Sequence, residues 1–307
     1  MNLLRFIEEF PDEMSCVSHL KELREREGIV CKKCKNQKYY YLKAKKQWQC
    51  SSCRFRTGIR SGTMMESSKL PIRDWFIAMA FMTYSKKGIS GRELQRQLGR
   101  KRYEPVWYMM HKIRAAMGKR DDLYKLHDFV EFDEGYFITE TNESDKQNLK
   151  RGRGSQKQSN VAVMVDSTPL EKVKTGKNDK HVRYFKMEVM KSHKSSEINE
   201  TIVCNIEETS IVFSDKSTSY VDIADYVKVH ITEKSTNKTT NSTFKWVHIA
   251  ISNAKRTLLE IYHKIKGKYL QNYLNEFCYK LNRRYFGDKL FDRLLIAVTQ
   301  DVRYLNG

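Results

Sequence analysis

FVEFDEGYFI, residues 129–138, is the stretch on which the fold turns. Aromatic and β-branched residues packed into so short a run read as a strand. Asp133 sits in its middle, between Phe132 and Glu134. A carboxylate among apolar neighbours is costly unless a cation or hydrogen bonds compensate it. Asp133 is therefore the first candidate ligand.

The same periodicity continues outward. NVAVMVD (160–166) reads as a buried strand, and VRYFKMEVM (182–190) alternates apolar and polar positions. EINETIVCNIEE (197–208) is a candidate helix, and SIVFSD (210–215) is a short strand that ends on Asp215. Strands followed by helices imply an α/β or α+β sheet. Phosphodiester chemistry commonly uses two divalent ions about 4 Å apart, held by oxygens from separate segments. Asp133 and Asp215 on neighbouring strands would build such a site. Further on, Tyr269, Leu270, Tyr273, Leu274, Phe277, Cys278 and Leu281 recur at helical steps and form a core face. Arg283 and Arg284 follow Asn282 and would either reach DNA or cap that helix. ITEKSTNKTTNSTF (231–244) is a polar loop with no chemistry assigned to it.

Upstream, residues 70–128 read as helical, with Trp75, Ala78, Met79 and Met82 at helical spacing and a break at Gly88. SGRELQRQLG (90–99) is a short helix, with Ser90 and Glu93 placed as a capping box. A second helix starts at Pro105 and lines Val106, Met110, Ile113 and Met117 on one face. The pair reads as helix-turn-helix-like, or as a packing bundle that links domains. Between Arg100 and Arg120 there are seven basic residues and one acidic one. Arg100, Lys101, Arg102 and Lys112 are the candidate DNA contacts.

Before this segment, Cys31, Cys34, Cys50 and Cys53 form C-x2-C-x15-C-x2-C, a zinc-ribbon spacing. Two tight turns and a hairpin between them would close a four-thiolate structural site. Lysines and arginines surround it, interleaved with Tyr39, Tyr40, Tyr41 and Trp48, and this suits DNA contact. The 307-residue chain carries a net charge of +20, which points to a polyanionic partner. No apolar run reaches the roughly 18–20 residues of a membrane span, and the acidic, amphipathic start is no signal peptide. The expected location is the cytoplasm, at the nucleoid, where thiols stay reduced.

These stretches together resemble the DDE-type insertion-sequence transposases with an N-terminal zinc ribbon, the ISXO-two-like group. The ribbon, VEFDEGYF with the basic RGRGSQKQ, IVFSD, and WVHIAISNAKR followed by EIYHKIKGKYLQNYLNEFCYKLNRR carry the resemblance. It implies an RNase H-like catalytic domain, a mixed sheet flanked by helices, at 128–307. A zinc-ribbon segment at 1–65 and a helical DNA-binding or linker region at 66–127 would precede it. It also implies a catalytic triad that begins with Asp133 and Asp215. Many relatives place Glu third, seven residues before a Lys-Arg pair. Counting back from Lys255 reaches His248, with 32 residues between it and Asp215. Asn253 is the alternative third member. Imidazole in place of carboxylate favours Mn²⁺ over Mg²⁺, and raises the reading of an inactive or repurposed DNA-binding descendant. Lys255 and Arg256 would lie two turns along from His248, beside a bound phosphate. The implied partners are double-stranded DNA, as terminal inverted repeats and target, and a second copy of the chain on the DNA.

Overall fold

Ten residues of alternating pleat, Phe129–Ile138, form the central strand of the larger sheet in a computed structural model. The structure describes residues 2–141, 155–169, 180–234, 236, 239 and 242–300. The basic RGRG at 151–154 and residues 235, 237, 238, 240 and 241 of the polar loop lie outside them. The chain divides into two compact units, Met1–Met117 with Phe286–Gly307, and Gly118–Tyr285.

The first unit opens with α1 (Leu3–Glu9) and α2 (Glu13–Glu27). A three-stranded antiparallel ribbon follows: β1 (Tyr39–Leu42), β2 (Gln47–Cys50) and β3 (Arg56–Gly58). The expected hairpin is present, and β3 adds a strand that the sequence pattern did not reveal. Trp48 is buried, and its indole N–H donates to Glu25 of α2 at 2.9 Å. It anchors the ribbon to α2 and is not a DNA-facing aromatic; Tyr40 is the exposed one. Next come α3 (Ile72–Tyr84), α4 (Gly91–Gln97) and α5 (Glu104–Asp121). Ser90 caps α4 by accepting the Glu93 N–H, while the Glu93 carboxylate turns to Arg96 and Gln97, so half of the expected capping box forms. The last helix, Leu290–Thr299, belongs to this unit too, with Phe291 against the rings of Phe6, Phe10 and Phe76.

The second unit is built on β4 (Phe129–Ile138), β5 (Gln158–Pro169), β6 (Lys180–Met190), β7 (Ile211–Ser214) and β8 (Val229–Thr232). Their order is β6-β5-β4-β7-β8. The β6/β5 and β5/β4 pairs are antiparallel, and β4/β7 and β7/β8 are parallel. This is the mixed, RNase H-like sheet expected from the sequence. Helix α6 (Ser195–Asn205) connects β6 to β7, and α7 (Lys245–Tyr262) and α8 (Leu270–Asn282) follow the sheet.

Period-two alternation sorts the strand residues between two cores. Phe137, Val161, Val163 and Val165 face Val247, Ala250, Ile251, Ala254 and Leu258 of α7 and Leu274 and Cys278 of α8. Phe132, Ala162 and Met164 face Ile198 and Ile202 of α6 together with Tyr220 and Ile223. The α7 residues recur at i, i+3, i+4 and i+7, so a single stripe meets the sheet. Gly135 lets that stripe come close, since a Cβ there would stand 3.0 Å from the Phe137 ring and 3.4 Å from Ile251.

Candidate metal and nucleic-acid site

Strand register brings the two aspartates together. Glu131 pairs with Phe213 in the parallel β4/β7 ladder. Two residues further along the chain from each come Asp133, still within β4, and Asp215, the residue just after β7. Neighbouring strands run about 4.8 Å apart, so register alone makes these carboxylates neighbours. Asp215 accepts the Ser217 N–H at 3.0 Å, which fixes the turn that carries it. Beside it, Ser214 bridges β7 to His230 of β8 at 2.7 Å.

Asp133 shares a sheet face with Glu131, Gly135 and Phe137, the face on which α7 packs. His248 lies in the first turn of α7, and its Nε2 stands 3.8 Å from Asp133 Oδ2. That Nε2 is buried and has no hydrogen-bond partner among the described residues. Burial pushes the Asp133 carboxyl up to about 6; the Glu134 amide and His248 oppose this, and Asp215 adds to it. Two carboxylates and an imidazole nitrogen are of the donor types that a divalent cation takes, while among the described residues the four cysteines of the ribbon are the group whose ligand atoms already stand close enough together to hold an ion. Asn253 is exposed on another side of α7.

A hollow of about 230 Å³ opens at this point, lined by Asp133, Asp215, Glu134, His193, Ser217 and Tyr220 among others. Glu134 faces away from α7, and its Oε2 lies 2.9 Å from His193 Nδ1 and 3.2 Å from the Asn160 amide nitrogen. Burial first, and then the nearby acids, push the Tyr220 phenol up. Sequence reasoning missed Glu131, Glu134, His193 and Tyr220. An acid at every second or adjacent position beside Asp133 was the signal available for the first two.

In the first unit the four cysteine sulfurs lie within 4.8 Å of one another. Cys31 to Cys53 and Cys34 to Cys50 are each 3.5 Å. Four sulfurs around a zinc at about 2.3 Å would stand about 3.8 Å apart, so the cluster fits that ion. The two turns match. Lys35 N–H donates to Cys31 O and Arg54 N–H to Cys50 O, and Lys35 and Arg54 both adopt positive φ. The Cys53 and Ser52 amides draw the Cys50 thiol down to about 6.

The expected DNA contacts divide. Lys101, Arg102, Lys255, Arg256 and Arg284 are exposed. Lys255 Nζ lies 5.7 Å from the Phe137 ring centre. Lys112 donates to the Glu66 carbonyl, and Arg100 makes two hydrogen bonds to the carboxylate of buried Asp74. Arg284 donates to Leu281 O at 2.7 Å, the helix-capping alternative. Arg283 is buried in an ion pair with Asp121, so the expectation of a DNA contact does not carry over to it. The end of α8 required a cation inside the fold, and a basic pair read from sequence does not show which way each side chain turns.

An RNase H-like sheet with paired aspartates on adjacent parallel strands, behind a four-cysteine ribbon, defines a DDE-type transposase architecture. The ISXO2-like transposase domain matches residues 125–282, about half of the chain, and the transposase zinc-ribbon domain matches residues 11–56. The chain belongs to the ISXO2-like transposase family. It is also similar to a protein of transposable element ISH50 from Halobacterium salinarum, at 24% identity over 168 residues. That match covers 53% of this chain and 55% of the relative, so the chain spans about half the length of the curated relative it matches. Among the described residues, no helix is long and apolar enough to cross a membrane.

Proposed function

We propose that this chain is an active transposase that cuts DNA at the ends of an insertion sequence and joins the freed ends to target DNA. The observation that carries this reading is that Asp133 and Asp215 line one hollow while the buried His248 Nε2 stands 3.8 Å from Asp133 Oδ2. Asp133, Asp215 and His248 would hold divalent ions, Mg²⁺ or Mn²⁺. Such ions activate water and offset the charge that develops on the phosphate when bound. The aspartates would present their oxygens from the middle of β4 and from just past the end of β7, and His248 would close the site from α7. Water attacks the phosphodiester at the element end and leaves a 3′-hydroxyl, which then attacks a target phosphodiester in line. Lys255, seven residues from His248 on α7, supplies a cation on the same helical face for the DNA backbone.

The remaining parts are assigned around this centre. A zinc-ribbon segment at 1–65 and a helical region at 66–127 recognise the terminal inverted repeats, ahead of a catalytic region at 128–307. Lys101, Arg102 and Arg256 present exposed charge for phosphates. Joining two ends requires that they be held together, so a homodimer on DNA is expected, in the cytoplasm at the nucleoid.

The test is excision of a marker flanked by the element's own ends. Wild type should excise, and Asp133→Asn, Asp215→Ala and His248→Ala should each lose activity by on the order of 10³-fold or more. A wild-type chain that binds the ends but releases nothing establishes the second reading, a DNA-binding protein derived from a transposase. Replacement of the usual Glu by His248 is the observation that favours that reading.

A further inference from the structure

Glu131 is fully buried in the core strand β4, two residues before Asp133 and on the same face. Its Oε2 accepts the backbone N–H groups of Trp246 at 2.9 Å and Val247 at 3.0 Å. Those amides belong to the first turn of α7, and they are among the four that no helix can satisfy internally. The next residue along the helix is His248. Phe244, the residue before α7, makes no side-chain cap bond to it, so β4 provides the carboxylate that its own N-terminus lacks. A negative charge at this end also meets the positive pole of the helix dipole. One strand thus holds Asp133 directly and holds the turn that carries His248.

We propose that Glu131 is a positioning residue for the metal site, acting through His248. Its carboxylate sets how far α7 stands from β4, and with it the gap between His248 Nε2 and Asp133 Oδ2. A partner that orients a ligand typically changes metal affinity or activity by about 10–100-fold when removed. Loss of charge alone should suffice, because the amide of Glu131→Gln keeps the shape and one acceptor but attracts the helix terminus less. The inference rests on the reading of Asp133, Asp215 and His248 as metal ligands, and the experiment separates the two.

Mn²⁺ binding is measured by calorimetry on the full chain with zinc supplied, for wild type, Asp133→Ala, Glu131→Gln, His248→Ala and the double variant Glu131→Gln/His248→Ala. Hydrogen exchange at the amides of Trp246 and Val247 is followed in the same proteins. The expected result is an Asp133-dependent site that Glu131→Gln weakens about tenfold. The same change should alter binding less than about twofold once His248 is gone, since a residue acting through His248 has nothing left to position. Exchange at 246 and 247 should accelerate in Glu131→Gln without metal. Equal weakening in both backgrounds, or none in either, overturns the proposal while leaving the metal site in place. A wild-type chain without an Asp133-dependent Mn²⁺ site overturns both.

Discussion

The two candidate metal sites of this chain are built on opposite plans. In the ribbon, every ligand comes from a tight turn between Cys31 and Cys53, and the two turns repeat the same backbone geometry. In the cleft, Asp133 comes from β4, Asp215 from the end of β7, and His248 from α7. The first site is written in local spacing. The second exists only when strand register and helix packing are in place. The difference predicts that the ribbon depends on its metal, whereas the second unit has its shape before any ion arrives.

The sharpest break of that comparison is metal removal. Structural zinc in small modules binds with an apparent free energy of about 10–16 kcal/mol, and this is also folding energy. Chelation, or Cys50→Ser, should therefore abolish hydrogen-exchange protection across β1–β3. Protection along Phe129–Ile138 should persist, because that strand is hydrogen-bonded on both sides and packed between two cores. A ribbon that keeps its protection without metal would refute the local plan.

The next test concerns how the second unit is held. Arg283 is paired with Asp121, and both are buried. Removing one partner of a buried pair costs about 3–5 kcal/mol, because the other is left charged and alone. Arg283→Ala should lower urea stability by that much while leaving the salt dependence of DNA binding unchanged. A phosphate contact would behave the other way, with little stability loss and a salt slope lowered by about one.

Asn282 should matter less, for a related reason. Its side-chain amide accepts the Phe185 N–H at 2.7 Å and donates to the Phe185 carbonyl at 3.0 Å, on the edge strand β6. Gln271 does the same one turn of pleat away, to Val189 N–H and the Met187 carbonyl. Two amides on α8 thus occupy an edge that would otherwise pair with another chain. Asn282→Ala should cost about 1–3 kcal/mol. Adding Gln271→Ala should produce concentration-dependent association in sedimentation, and a variant pair that stays monomeric would show that the edge is protected by other means.

What could be read from the sequence follows the same division. The strand FVEFDEGYFI has the bounds of β4 as observed, because apolar alternation is a local property. The cysteine pairs needed only their spacing. Which side chains meet across the fold was not legible: β3 joins the ribbon through pairing, Trp48 turns inward to Glu25, and Arg283 turns inward to Asp121. Glu131 is the clearest case. Nothing in the run VEFD distinguishes the acid that caps a helix from the one that faces the cleft, since the helix begins more than a hundred residues later.

The smallest expected effect lies in the first unit, where a buried histidine tests how tightly the helical segment is closed. His111 of α5 is buried, with its ring 4.0 Å from that of Trp107. Burial pushes its pKa down to about 4, and Arg114 adds to this. The unfolded chain takes up the same proton near 6.5. Protons therefore bind the unfolded state first as pH falls. The stability tied to neutral His111 is complete above about 6.5 and disappears progressively toward 4. Carboxylates also titrate toward the lower end of this window, so the readout must be a difference. Urea midpoints for wild type and His111→Phe, compared between pH 7.5 and 5, should show a steeper fall in wild type. Equal slopes would mean that His111 reaches water in the native state, and that α5 is less closed at this point than its burial implies.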